Sequence, residues 1–95
     1  MSQTLRQQLV TLFRESGHAH HQAFISADGA DPEWPLWYAN YLHDHINAIM
    51  KAAFTRSKLV QMILNAADDQ EINAPQADWT EYYADYFLKH YPMPA

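Results

Sequence analysis

Apolar residues recur three and four positions apart almost from end to end of this chain, and that spacing constrains its fold more than any other feature. Glycine occurs only at Gly17 and Gly29, and no Asn-Gly hairpin dipeptide is present. Strands joined by tight turns are therefore poorly served, and helices are expected throughout. In the first, Leu5, Leu9, Leu12, Phe13, Ala23, Phe24 and Ala27 trace one face. Thr4 and Gln7 offer a capping box at its start, and Asp28-Gly29 a stop. Gly17, in the middle, costs about 1 kcal/mol against Ala and marks a kink or a close approach to a neighbouring helix.

A second helix is expected to begin near Asp31, with Pro32 or Pro35 in its first turn, and to fade around Ala53. Its stripe is broad: Trp34, Trp37, Tyr38, Tyr41, Leu42, His45, Ile46 and Ile49. Thr55 caps a third helix facing inward with Leu59, Val60, Met62, Ile63 and Ala66, and with Leu64 at the edge. Residues 68–77, "DDQEINAPQA", read as a polar connection. Asp78, with Glu81 as capping-box partner, then starts a fourth helix bearing Trp79, Tyr82, Tyr83, Tyr86, Phe87 and His90, which ends before Pro92. Four amphipathic helices with short links predict an all-α, four-helix bundle forming one domain over residues 1–95.

The composition narrows the function. The net charge of −5 and only six basic residues argue against nucleic acid, which needs many phosphate contacts. No apolar run is long enough to span a membrane, and the N-terminus lacks the order of a signal peptide. The absence of cysteine removes disulfides, thiolate metal sites and Cys nucleophiles, and suits a cytoplasmic setting.

Residues 33–45, "EWPLWYANYLHDH", align with 78–90, "DWTEYYADYFLKH", with five of thirteen positions identical: Trp34/Trp79, Tyr38/Tyr83, Ala39/Ala84, Tyr41/Tyr86 and His45/His90. Two helix-turn-helix halves are one reading. Two aromatic core helices with the same capping needs are the other, since the first and third helices do not align convincingly. "DGADPEWPLWYANYL", with "TRSKLV" and "WTEYYADYFL" downstream, resembles a family of small bacterial helical proteins of unassigned function, in which an acidic turn precedes a Trp-Pro-x-Trp-Tyr-Ala helix start. The resemblance spans most of the chain and implies no activity, cofactor or catalytic residue.

Candidate sites are few. His18 and His21, with Glu15 three before His18, have helical metal-ligand spacing, but no second Glu-x-x-His exists to complete a bundle metal site, and no metal or other cofactor is expected. Asp28, Asp31 and Glu33 lack the order of a calcium loop and read as helix punctuation. His20, His45 and His90 fall on apolar stripes, where imidazoles among tyrosines form either a satisfied core network or a cavity lining. No nucleophile elbow, P-loop or dinucleotide fingerprint occurs, which weakens an enzymatic reading. The leading expectation is a non-enzymatic interaction module, self-associating as a homo-oligomer or bound to a protein partner through surplus aromatic side chains. The alternative is a small-ligand binder with a pocket between the second and fourth helices lined by Trp37, Tyr41, His45, Tyr86 and His90.

Overall fold

The computed structural model describes residues 4–26 and 33–91, with side chains at 4–23 and 33–91. The expected stop at Asp28-Gly29, the cap at Asp31 and the roles of Phe24, Ala27, Pro32 and Pro92 fall outside these residues. Among the described residues four helices form: α1 (Leu5–Ser26), α2 (Trp34–Met50), α3 (Arg56–Asn73) and α4 (Trp79–His90). The chain is an all-α four-helix bundle.

Local chemistry sets the helix starts. At α1 the capping box closes reciprocally: the Gln7 N–H donates to Thr4 Oγ1 at 3.1 Å, and the Thr4 N–H to Gln7 Oε1 at 2.9 Å. At α3, Thr55 Oγ1 accepts from the Lys58 N–H at 3.0 Å. Asp78 caps α4 by accepting from the Thr80 N–H at 2.8 Å; these bonds, the Thr80 hydroxyl first, hold its carboxyl below the ordinary range. Glu81 does not reach back to complete a box. It accepts instead from Arg6 of α1, whose Nε also donates to Asp85 at 2.7 Å. At α2 the cap position is Glu33, without a side-chain bond, and Pro35 sits in the first turn, where its missing N–H goes unneeded.

The helix ends follow backbone constraints. α2 stops at Met50, three residues before the expected fade, because Lys51 turns left-handed at φ 51°. Asn47 then clamps the link to α3: its Nδ2 donates to the Phe54 carbonyl at 3.0 Å, and its Oδ1 accepts from the Phe54 N–H at 2.8 Å. α3 runs six residues into the expected polar connection. Nothing in "DDQEIN" breaks a helix, and only Pro75, which disfavours the helical conformation at Ala74, ends it.

The core is narrower than the aromatic stripes imply. α1 buries Leu9, Val10, Leu12, Phe13 and Ser16, and α3 buries Leu59, Met62, Ile63 and Ala66. α2 buries Ala39, Leu42, Ile46 and Met50, and α4 buries Thr80, Tyr83, Ala84 and Phe87. Relative to expectation, the inward faces of α2 and α4 are rotated. The small residues Ala39 and Ala84 lie at the centre, while Trp37, Tyr41 and Tyr86 are only partly buried and His45 and His90 are exposed. The buried positions Leu9, Leu12, Phe13 and Ser16 recur fifty residues on as Leu59, Met62, Ile63 and Ala66. Helix neighbours follow the same exchange: α1 packs on α2 and α4, α3 packs on α2 and α4, and α2 and α4 stand across the diagonal. No helix among the described residues is long and apolar enough to cross a membrane.

Candidate functional site

Short links make successive helices antiparallel, so the N-termini of α2 and α4 share one end of the bundle with the C-terminal halves of α1 and α3. A half-enclosed cavity of about 200 Å³ opens there. Each long wall begins at the first residue of a helix and continues one turn on: Trp34 and Tyr38 on α2, Trp79 and Tyr83 on α4. Phe13 of α1, Leu42 of α2 and Ile63 of α3 also line it, and His20 of α1 completes the lining.

The rings brace one another edge to face. Trp34 meets Tyr38 at 5.9 Å and 84°, Trp79 meets Tyr83 at 5.2 Å and 76°, and Tyr38 meets Trp79 across the diagonal at 6.0 Å and 75°. Phe13 stands perpendicular to Tyr83 at 5.9 Å and to Phe87 at 5.4 Å. Such pairs hold walls open because each ring fixes its neighbour's tilt. Gly17 makes room for this: a Cβ there would lie 2.7 Å from Trp79 Cζ2. Of the two roles expected of Gly17, the structure shows close approach.

The polar groups of the cavity are the Tyr38 and Tyr83 hydroxyls, the two indole N–H groups and the His20 ring. Tyr83 is 8% exposed, and burial, then Tyr38 and Asp68, pushes its phenol up to about 12. It is therefore a neutral hydrogen-bonding group at any physiological pH. Among the described lining residues none is a carboxylate, Lys, Ser or Thr.

The five residues expected to line a pocket fall on separate surfaces. Trp37, Tyr41 and His45 form a ladder along α2, with Trp37 stacked on Tyr41 at 5.4 Å and 13° and Tyr41 against His45 at 6.1 Å. His20 tops it, 5.0 Å from Trp37. Tyr86 and His90 pair at 4.2 Å on α4, beside Asp69, Tyr82, Asp85 and Lys89. The cavity does lie between α2 and α4, but its walls are the inward neighbours of the expected residues, three positions earlier in three cases: Trp34, Tyr38 and Tyr83 for Trp37, Tyr41 and Tyr86. The available signal was the pair of identities nearest the helix starts, Trp34/Trp79 and Tyr38/Tyr83.

His20, His45 and His90 do not form one cluster: His20 and His45 occupy opposite ends of the α2 ladder, and His90 stands apart with Tyr86. His18 and His21 are exposed, and among the described residues no three His, Asp or Glu side chains converge as metal ligands would. Asp69, missed in the sequence, accepts from the Tyr82 hydroxyl and ties α3 to α4. Comparison with family models, with curated proteins and with solved structures finds no match.

Proposed function

We propose that this protein is a non-enzymatic helical binding module that takes a small molecule into the cavity between the starts of α2 and α4. The observation that carries the reading is the aromatic cavity of about 200 Å³. A well-packed core leaves few voids larger than a water molecule, and an engineered apolar cavity of about 150 Å³ is known to stay dry and to bind benzene. Two related halves are part of the reading, supported by the recurrence of buried positions in α1 and α3 and by the paired cavity walls. The lack of cysteine favours a cytoplasmic setting.

The test is thermal unfolding with indole as probe. At ten times its dissociation constant, a ligand bound only by the folded state adds about 1.4 kcal/mol, or roughly 5–10 °C for a chain of this size. Wild type is expected to show that rise. Ile63→Phe, which places a ring at the position matching Phe13, is expected to fill the space and abolish it. Equal rises in both proteins, or no rise in wild type, would remove the reading.

A second reading, self-association, has its own observation. Leu36 and Leu64 are 46% and 41% exposed on α2 and α3. At the matching positions on the opposite side of the bundle stand the charged Glu81 and Arg14, engaged with Arg6 and Asp78. One rim is thus ionic and its counterpart apolar, the pattern of a surface that meets another protein copy.

A further inference from the structure

We propose that the cavity selects a neutral, planar aromatic or heteroaromatic molecule, one substituted ring or one fused pair, bearing a hydrogen-bond acceptor that meets the Tyr83 hydroxyl. The inference rests on the cavity being a ligand site and says what that ligand is.

Size comes first. At interior packing density, roughly 0.75, a cavity of about 200 Å³ holds about 150 Å³ of ligand. That admits a bicyclic ring system whole, whereas a nucleotide or a long acyl chain would protrude from it. Shape comes second. Trp34, Tyr38, Trp79 and Tyr83 meet at 75° to 84°, so a flat ring continues a perpendicular lattice that is already built.

Among the polar groups that line the cavity, Tyr83 is the most deeply buried. Tyr83 is more than nine-tenths buried, yet its hydroxyl has no hydrogen-bond partner among the described residues and is reachable from the cavity it lines. A ligand that covered this hydroxyl without accepting from it would leave a buried donor unpaired, which is costly, so the site favours a ligand that supplies an acceptor over one that does not. The described lining disfavours charge of either sign. Among the described lining residues there is no Lys or Arg, and Asp68 acts on Tyr83, which disfavours an anion. No carboxylate is among them either, which disfavours a cation.

Four bicyclic probes of one shape separate these claims: naphthalene, quinoline, 2-naphthoate and N-methylquinolinium. Binding is read from the indole N–H signals of ¹⁵N-labelled protein, those of Trp34 and Trp79 reporting the cavity. Quinoline is expected to bind about fivefold more tightly than naphthalene, the worth of one net hydrogen bond, and more tightly than either ion. Tyr83→Phe is expected to erase that preference while keeping naphthalene affinity. Tyr86→Phe, outside the cavity, is expected to keep the preference. Equal binding of quinoline and naphthalene by wild type, survival of the preference in Tyr83→Phe, or tighter binding of an ion overturns the ligand class while the cavity remains a site. If none of the four moves the Trp34 and Trp79 signals, the cavity reading itself fails, and the class with it.

Discussion

Tyr83 carries a pH signature that follows from its burial. An ordinary tyrosine phenol ionises near 10, and the folded chain holds this one up to about 12. Below pH 10 the residue is protonated whether the chain is folded or unfolded, and the protection is fully present. Between 10 and 12 the unfolded chain gives up the proton first, so stability drains away as pH rises through that window. Tyr83→Phe has no proton to lose. Urea unfolding at stepped pH is expected to show a shallower alkaline decline in this variant than in wild type, with the two curves parallel below pH 9. Parallel curves up to pH 12 would show that Tyr83 is not held as described. At this scale the caps were legible in the sequence: Thr4 with Gln7, Thr55 and Asp78 bond their own helix starts, and such bonds span two or three residues. Asn47 was not legible, because its amide bonds the backbone seven residues away across a link, a distance at which no periodic signal exists.

Among the helices, the junction of α1 and α4 turns on Gly17. Alanine in a helix interior ordinarily gains about 1 kcal/mol over glycine. Here the new methyl group meets Trp79, whose ring is braced by Phe13, Tyr38 and Tyr83 and has little freedom to retreat. Overpacking of this kind costs about 1–3 kcal/mol, so Gly17→Ala is expected to be destabilising by about 1 kcal/mol net, with an altered near-ultraviolet dichroism from the displaced indole. A gain in melting temperature would refute the close approach. The existence and type of all four helices were legible from spacing alone. Their rotation was not, for α2 and α4. Large aromatic side chains three and four apart dominate a periodic pattern even when half exposed, whereas Ala39 and Ala84, fully buried at the centre, add little to it. A stripe so weighted points one ring too far outward, which is why Trp37 and Tyr41 were expected in the place of Trp34 and Tyr38.

For the molecule as a whole, the contrast between its two matching rims decides the second functional reading. Leu36→Glu combined with Leu64→Arg places on the α2–α3 side the residue types already present on the α1–α4 side. Exposed substitutions and surface ion pairs shift stability by about 0.5 kcal/mol or less, so the double variant is expected to fold as wild type does. In sedimentation, wild type is expected to associate with rising concentration and the double variant to remain monomeric. A wild type that stays strictly monomeric at micromolar concentration would remove self-association. Neither the rims nor the cavity's lining from all four helices could be read along the chain, because each depends on which helices become neighbours, and a single helix face carries no record of that.

The neighbour relations have one more consequence. Arg6, at the start of α1, is bonded to Asp85, midway along α4, across 79 residues of sequence. The contacts therefore run α1 to α2 to α3 to α4 and back to α1. Topologically the bundle is a closed circuit, and the order in which its helices are synthesised is only one way of travelling round it. Of the links in that circuit, the α2–α3 connection is the one stitched by Asn47 to its own backbone, so a break made there would cost two hydrogen bonds as well as a peptide bond.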